Sequence, residues 1–455
     1  MNAKPQAADR DIIHLHSEHW GIVGGGMLGL MLAHRLRQQG QRVTLLEAAP
    51  QLGGLASAWQ LGDITWDRHY HVILLSDAHV VGLLEELGLA AEMQWVETKT
   101  GFYTDGRLYS MSNSLEFLKF PPLGLVDKFR LALTILHASR IKNWKKLEAI
   151  PVVAWLRKWS GRRTFQKIWL PLLRAKLGEN YKIASAAFIW AIIARMYAAR
   201  RSGLKKEMFG YVRGGYARIL QRFGETLTNA GVAIRLNQRV RQITPADGGI
   251  RIETEAETLS FDRVVVTAAA PLASKLCPGL SEPEHALLNG VTYQGIICAS
   301  LLLKKPLAPY YVTNITEDWV PFTAVIEMTA LVDPKEFGGR SLIYLPKYVA
   351  PDDPAFASTD EEIRTRFLDA LEKMYPHFHR EDVLAFQVSR VRQVFAVSTL
   401  HYSQQVPPIV TSIPGLYLAN SSHIVNGTLN VNETLQLAEN ALATIRAQPA
   451  GTPTS

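Results

Sequence analysis

The sequence predicts an α/β fold built around a parallel sheet, and three observations support this class. The apolar segment Trp20–Val23 runs into a glycine-rich turn, which is followed by a helical pattern. A second apolar strand, Val43–Leu46, comes directly after that helix, and a strand, helix, strand succession is typical of parallel sheets. A third strand with an uninterrupted apolar run lies within Phe261–Ala268, as expected for a strand buried on both faces.

The turn after the first strand carries the first chemical signal. Gly24 permits a tight backbone path, Gly26 leaves room for a pyrophosphate, and Gly29 lets the following helix pack close to the strand. The free N–H groups and positive dipole end of that helix stabilise a diphosphate. Glu47 lies eighteen residues beyond Gly29, where its carboxylate can accept hydrogen bonds from both ribose hydroxyls. This unit predicts a dinucleotide cofactor.

A glycine pair, Gly53 and Gly54, extends the pattern beyond the acid. The extended pattern resembles the FAD-dependent superfamily of amine oxidases, protoporphyrinogen oxidases and phytoene desaturases, with features near the UDP-galactopyranose mutases. The resemblance implies a Rossmann-like FAD-binding domain, in which Gly53 and Gly54 lie close to the flavin diphosphate and ribityl chain. FAD is therefore the expected cofactor.

A second match, Trp66-Asp-Arg-His-Tyr-His71, is similar to the Asp-x-Gly-x-His segment that passes the flavin ring in this family. On that alignment His71 takes the place of the family histidine, and His69 replaces the family glycine. The resemblance makes His71 the candidate catalytic residue, as a proton acceptor or as a positioning group beside the flavin. A histidine packed in the junction between two domains is the alternative.

Two later matches return the chain to the cofactor. Arg213–Tyr216 with Leu220 is similar to a Gly-Gly-x-x-x-Leu element, and in relatives the residue at the position of Val240 contacts the adenine. Ile413–Asn420 resembles the closing strand of these flavoproteins, with Asn420 where glycine is usual. A helix predicted from about 432 to 447 follows, and Asn430 or Asn432 is expected to cap it toward the flavin.

These matches divide the chain into discontinuous units. The predicted FAD-binding domain comprises residues 20–75, 205–275 and 405–447, between an N-terminal extension at 1–19 and a tail at 448–455. Residues 76–204 have mainly helical patterns and predict a cap. Residues 276–404 mix strand patterns with a helix near Glu361–Lys373, and they predict a substrate domain with a sheet as its floor.

Composition and charge indicate the expected location and partners of the protein. The first nineteen residues lack the apolar core of a signal peptide, so a cytoplasmic location is expected. Between Arg140 and Lys176 there are eleven Lys or Arg, one acid and four interleaved tryptophans, at 144, 155, 159 and 169. This pattern predicts contact of residues 140–176 with the inner face of a membrane, or else a solvated basic face with tryptophans in the core. No nucleic-acid partner is expected, since the net charge of +8 is modest and no such motif accompanies it.

No metal site is expected either. The pairs His14 and His16, His69 and His71, and His377 and His379 lack the carboxylates or cysteines that would complete a coordination shell. A lone histidine pair is a weak metal signal. The chemistry is expected to come from the flavin instead.

The activity has three interpretations. The first is an FAD-dependent oxidoreductase that takes a hydride or two electrons from an alicyclic, isoprenoid, amine or sugar-linked small molecule, with phosphorylated or lipid-linked compounds among the options. The second is a mutase-like enzyme acting on a nucleotide or lipid-linked sugar without net redox change. The third is a non-catalytic binding protein similar to GDP-dissociation inhibitors. Tyr344, Lys347 and Tyr348 are candidates for lining the substrate side.

Overall fold

A computed structural model describes residues 17–200 and 208–447 of the chain. The predicted tail and nearly all of the predicted N-terminal extension, including His14 and His16, lie outside the described residues.

The helices of the described residues are α1 (Met27–Gln38), α2 (Ala78–Glu86), α3 (Ser114–Lys119), α4 (Leu125–Arg140), α5 (Val152–Thr164), α6 (Leu170–Leu177), α7 (Ala186–Arg200), α8 (Gly215–Asn229), α9 (Ala270–Leu276), α10 (Glu282–Gly290), α11 (Asp360–Met374) and α12 (Val431–Arg446). The strands are β1 (His19–Val23), β2 (Arg42–Leu46), β3 (Ala58–Leu61), β4 (Ile64–Asp67), β5 (Ile73–Leu74), β6 (Met93–Glu97), β7 (Thr100–Thr104), β8 (Arg107–Ser110), β9 (Met208–Val212), β10 (Ala233–Arg235), β11 (Val240–Ala246), β12 (Gly249–Thr254), β13 (Thr258–Phe261), β14 (Arg263–Val266), β15 (Tyr293–Leu303), β16 (Val312–Ile315), β17 (Ala324–Glu327), β18 (Ser341–Val349), β19 (Val383–Ala396) and β20 (Leu416–Leu418).

A five-stranded parallel sheet confirms the predicted α/β class. Its strand order is β10-β2-β1-β14-β20, so β1 lies at the centre and the chain leaves it on opposite sides. Such a reversal of strand order opens a crevice at the carboxyl ends of the strands, where open α/β sheets bind ligands. The five strands come from widely separated parts of the sequence, and all five carboxyl ends meet at one edge.

Both faces of the parallel sheet are covered, which explains the apolar runs in its strands. Ile22, Leu45 and Val265 point into a core shared with α1, α8 and α12. Their neighbours Val23 and Leu46 point the other way, into a core formed with β11–β13 and α9. Since side chains alternate along a strand, each strand must be apolar on both sides. Only the edge of this sheet is free to bind a ligand.

A seven-stranded mixed sheet forms the second layer, with strand order β19-β15-β18-β17-β16-β7-β8. One face, which includes Ile297, Ile343 and Leu345, packs against α11. The other face, which includes Tyr344 and Cys298, packs against the segment around Trp66. We refer to these as the helix-covered face and the site face.

The region 76–204 is less helical than its sequence patterns predicted. It contributes β6, β7 and β8, and the last two of these complete the seven-stranded sheet. The remaining helices α3–α7 form a cap with its own core, in which Trp155 and Trp169 are buried and Trp144 and Trp159 pack partly buried. The tryptophans therefore point mainly inward. Within residues 17–200 and 208–447, no helix combines the length and apolarity that spanning a bilayer requires.

Candidate active site

The carboxyl edge of the parallel sheet forms a glycine-lined cradle at the start of α1. Gly26 is the N-cap residue of α1, no side chain caps the helix, and its first turn carries no acid. The unpaired N–H groups of this turn therefore need an external acceptor. A Cβ on Gly26 would have no atom nearer than 4.0 Å, so the space beside it is open. This is the local geometry that binds a diphosphate.

Positions 29 and 53 require glycine because neighbouring atoms lie where a side chain would begin. A Cβ on Gly29 would lie 1.9 Å from the carbonyl oxygen of Gly24, so any side chain would push α1 away from the turn. Gly53 has φ = 114°, and a Cβ there would lie 2.4 Å from Leu220. Its N–H donates to the Gly25 carbonyl at 2.8 Å, while the Cβ position of Gly54 is 3.3 Å from the Gly26 Cα. The glycine pair thus lies directly against the cradle.

Glu47 follows β2 at the same edge and is fixed by two backbone donors. Its carboxylate accepts the N–H of Gly25 at 2.6 Å and the N–H of Ala49 at 2.7 Å. Hydrogen bonds to a carboxylate are stronger than neutral ones, so this side chain is held rigidly beside the cradle. Its remaining lone pairs can accept ribose hydroxyls.

Two further predicted cofactor residues lie at this edge. The segment before Val240 runs alongside Glu47, because the N–H of Gln238 donates to the Glu47 carbonyl at 2.8 Å. Asn420 follows β20 and is buried, with its Oδ1 accepting from the Ser422 N–H at 3.0 Å and from the Ser422 hydroxyl at 2.7 Å. Its Nδ2 is buried and has no partner among the described residues. A buried donor without a partner is costly, so this atom fits a ligand at the edge.

The two asparagines at the start of α12 have different roles. Asn430 is the N-cap, and its Oδ1 accepts the N–H of Glu433 at 3.1 Å. Asn432 faces α2 instead, and its Oδ1 accepts the N–H of His79 at 2.9 Å. The structure therefore places Asn432 between the beginnings of two helices, where it joins them.

The Trp66–His71 segment runs between the parallel sheet and the site face. Asp67 is buried, and its Oδ1 accepts the N–H of Tyr216 at 2.8 Å, which caps α8. Burial raises the pKa of Asp67 to about 8, while the N–H groups of Tyr216 and Ala217 act in the opposite direction. A small cleft opens here, with Trp66, His71, Tyr216 and Met328 in its lining.

His71 lies in this cleft with a free ring nitrogen. Its Nδ1 is 3.9 Å from the Asp67 carboxylate, beyond hydrogen-bond distance, and has no hydrogen-bond partner among the described residues. Its ring lies 4.8 Å from the ring of Tyr216. Burial, with a smaller contribution from His69, lowers the pKa of His71 to about 3, so the imidazole is neutral at pH 7.

His69 replaces the family glycine without disturbing the backbone, because it is not among the described residues with positive φ. Its Nδ1 meets the Leu55 carbonyl at 3.1 Å and its Nε2 meets the Ser389 hydroxyl at 3.1 Å. The side chain therefore joins the Trp66–His71 segment to the seven-stranded sheet.

The three predicted substrate residues divide between the two faces of β18. Tyr344 donates its hydroxyl to the Asp67 carbonyl at 2.5 Å, and the hydroxyls of Tyr348 and Tyr70 lie 2.7 Å apart. Both tyrosines thus lie on the site face, in contact with the Trp66–His71 segment. Lys347 points to the opposite side, near Arg366 of α11. The structure does not bring Lys347 together with the tyrosines.

One residue that sequence patterns did not single out is Lys176, at the end of α6. Its Nζ lies 3.6 Å from the ring centroid of Tyr348 and 5.1 Å from that of Phe395. Among the described residues no hydrogen bond or ion pair engages this ammonium group. Burial lowers the pKa of Lys176 to about 7. In the sequence it is one of eleven basic residues in its stretch, and only the fold distinguishes it.

In the part of the chain that the structure describes, no group of three or more His, Cys, Asp or Glu side chains lies close enough together to hold a metal ion. The polar side chains of the cleft are Trp66, Asp67, His71, Tyr211 and Tyr216.

Comparisons with known proteins identify the family of this chain. The family model for flavin-containing amine oxidoreductases matches residues 28–435. The chain is 22% identical over 448 residues to a 15-cis-phytoene desaturase of Arabidopsis thaliana, which covers 88% of this chain and 74% of that protein. It is 22% identical over 380 residues to coproporphyrinogen III oxidase of Mycobacterium tuberculosis, covering 78% of this chain and 82% of the relative. The crystal structure of an oxidoreductase from Methanosarcina mazei superposes with a TM-score of 0.74 at 18% identity, covering 93% of this chain and all of that one.

Proposed function

Because this chain belongs to the family of flavin-containing amine oxidoreductases and is an FAD-dependent oxidoreductase, we propose that its substrate is an apolar molecule with an acidic group. The observation that carries this proposal is the Lys176 ammonium, which lies against two aromatic rings with no carboxylate partner among the described residues. The substrate is proposed to bind between the cap and the site face of the seven-stranded sheet. FAD, when bound at the glycine cradle, supplies the acceptor for a hydride or an electron pair.

The surroundings of Lys176 favour an anion and disfavour an amine. The rings of Tyr348 and Phe395 present their faces to a cation, and the lysine already uses them. A protonated amine substrate would meet a like charge here. A carboxylate or phosphate would gain a buried ion pair and would satisfy an ammonium that is otherwise without hydrogen bonds. Among the predicted substrates, isoprenoid and alicyclic molecules fit this arrangement when they carry an acidic group.

His71 and the site-face tyrosines are proposed to orient the substrate. The neutral imidazole offers a nitrogen without a partner, which can accept a hydrogen bond or a proton from a bound molecule. Tyr344 and Tyr348 hold the Trp66–His71 segment in place through the Asp67 carbonyl and Tyr70.

The asparagines of residues 420–432 do not indicate a sugar substrate. Asn430 caps α12, Asn432 binds the start of α2, and the side-chain oxygen of Asn420 accepts from Ser422. These contacts assign Asn430 and Asn432 to the fold of the chain itself, and of Asn420 only the Nδ2 atom is left for a ligand at the sheet edge. A mutase-like reaction therefore remains an outcome of the test below and not a second proposal.

The test is anaerobic mixing of the FAD-loaded enzyme with an isoprenoid carboxylic acid and, separately, its methyl ester. Bleaching of the flavin absorbance is followed over a range of concentrations. We expect the acid to reduce the flavin at a concentration about tenfold lower than the ester, because only the acid pairs with Lys176. Lys176→Met should remove this difference. Lys347→Met, on β18 but on the face opposite to Tyr348, is the matched control and should keep it.

Equal potency of acid and ester in the wild type would contradict the proposal, and so would an unchanged preference in Lys176→Met. Conversion of a nucleotide sugar by the reduced enzyme alone would favour the mutase. For His71 we expect His71→Ala to retain FAD and to slow flavin reduction. An unchanged rate of flavin reduction in that variant would show that His71 contributes only to packing.

A further inference from the structure

The cap carries a concentrated exposed apolar surface on α3 and α4, which we call the apolar ridge. Six of the eleven large hydrophobic side chains that are exposed among the described residues lie within positions 115–133. The members of the ridge are Leu115, Leu118, Leu125, Val126, Phe129 and Leu133, and their exposed fractions run from 41% to 76%. Scattered apolar residues are normal on a surface, but a contiguous group of this kind marks a binding surface.

Packing of the cap does not account for the ridge. The inward side of α4 is already apolar, with Leu131 and Ala138 buried in the cap core. Lys128, also on the inward side, is buried and donates its ammonium group to the Leu118 carbonyl, which ties α3 to α4. A surface helix normally has polar residues opposite its buried face. Here the outward side of α4 carries Val126, Phe129 and Leu133 instead.

Basic residues surround the ridge. Lys119 ends α3 and is exposed, and α5, which packs beside α4, exposes Lys158 and Arg162. Arg130 on α4 donates to the Lys158 carbonyl at 3.2 Å, which places that part of α5 next to the ridge. The nearby acids are engaged: Glu116 accepts from Ser110 and Ser112, and Asp127 pairs with Arg163. The surface as a whole is apolar in its middle and positive at its border.

We propose that the apolar ridge inserts into the surface of an anionic lipid bilayer, with the basic residues of α3 and α5 at the level of the lipid phosphates. An apolar strip bordered by Lys and Arg is complementary to that surface. A second copy of this chain is a poorer fit, because a two-fold contact would bring the two basic borders together. This proposal moves the apolar contact from the tryptophans of residues 140–176, which point into the cap core, to residues 115–133. It does not depend on the proposed substrate.

The experiment is flotation of the full-length, FAD-loaded protein with vesicles of phosphatidylcholine alone, or with about 30% phosphatidylglycerol. We expect binding to the anionic vesicles and about tenfold weaker binding of a Val126→Glu, Phe129→Glu double variant. Leu384→Glu, at a similarly exposed leucine on β19, is the matched control and should bind like the wild type. Lys158→Gln with Arg162→Gln should bind more weakly, and added salt should have less effect on it. Retained flavin absorbance shows that each variant is folded.

Three outcomes would overturn the proposal. The wild type would float with neither kind of vesicle, or the double variant would float as well as the control. In the third, light scattering would show that the wild type is a dimer and the double variant a monomer, and neither protein would bind vesicles. That result would assign the ridge to a second copy of the chain.

Discussion

The two large sheets of this protein expose their functional groups in different ways. The parallel sheet is covered on both faces, so Glu47 and Asn420 lie at its carboxyl edge, beyond the ends of the strands. The mixed sheet is covered by a helix on one face only, so Tyr344 and Tyr348 lie in the middle of a strand, on its other face. A sheet between two layers can bind a ligand only at its edge, whereas side chains in the middle of a strand of the mixed sheet contact the Trp66–His71 segment.

The largest expected effect is a loss of stability, and it should distinguish the two faces of the mixed sheet. Leu345 is fully buried on the helix-covered face, so Leu345→Ala should lower the free energy of unfolding by about 2–5 kcal/mol. The rate of flavin reduction per bound flavin should not change, since this face does not line the site. Tyr348→Phe, a substitution on the site face, should lower the free energy of unfolding by under about 1.5 kcal/mol and should alter the rate of flavin reduction. Urea unfolding measures the stability, and stopped-flow mixing measures the rate of flavin reduction. Slower flavin reduction by Leu345→Ala would contradict the assignment of different roles to the two faces.

The next prediction concerns the edge of the parallel sheet. Glu47→Ala removes a carboxylate that two backbone N–H groups hold in place, and hydrogen bonds to charged groups contribute about 1.5–3 kcal/mol. We expect FAD to be retained roughly 10- to 100-fold less tightly. Titration of the apoprotein with FAD, followed by flavin fluorescence, gives the affinity. Glu255→Ala, at an exposed position next to β12, is the control, and unchanged FAD affinity in Glu47→Ala would remove the ribose assignment.

A smaller effect should appear in the pH dependence of substrate binding to the site face. Burial lowers the pKa of Lys176 to about 7, so its ammonium group is present below that pH and is lost above it. Affinity for an acidic substrate should therefore fall as pH rises above 7, by up to about tenfold per pH unit. The measurement is the half-saturating concentration for flavin reduction across this range. Lys347→Met should follow the wild-type curve, and a flat curve in the wild type would exclude Lys176 as the anion-binding group.

The smallest effect concerns the link between the site face and the Trp66–His71 segment. Burial lowers the pKa of His69 to about 4, below the value of about 6.5 for an unfolded histidine. The unfolded chain therefore binds a proton first as pH falls. The contribution of His69 to the free energy of unfolding is fully present above pH 6.5 and declines as pH falls toward 4.

Between pH 6.5 and 5.5 the loss from His69 should be about 1 kcal/mol. Unfolding midpoints of His69→Gln should vary less over this range than those of the wild type. His379→Gln, at an exposed position after α11, is the control. An identical pH dependence in His69→Gln would show that other groups cause the acid sensitivity.

The edge of the parallel sheet could be predicted from the sequence because its signals are local. Gly24, Gly29 and Glu47 lie within one strand, helix and strand unit, and their spacing alone indicates the geometry. Asn430 or Asn432 was predicted to cap α12 toward the flavin, and Asn430 is the cap. The partner of Asn432 on α2 is 353 positions away and has no sequence signal.

The site face could be predicted only in part. Alternation along β18 separates Lys347 from its two tyrosine neighbours, but the sequence does not say which side α11 will cover. Lys176 and its aromatic partners come from α6, β18 and β19, so no short window contains them. The tryptophans of the basic stretch were open to two interpretations because a helical pattern does not distinguish a core from a membrane surface. Burial of Trp155 and Trp169 decides for the core in those two cases.

The strand order of the parallel sheet also bears on how the protein is made. Its central strand, β1, is synthesised first, yet its neighbour β14 follows more than two hundred residues later and β20 almost at the end. A ribosome must therefore synthesise about four hundred residues, from β1 to β20, before the crevice for the cofactor is complete. Contacts so distant along the chain form slowly, and the apolar strands made early are exposed to aggregation meanwhile. Chaperone capacity during translation should accordingly limit the yield of active enzyme.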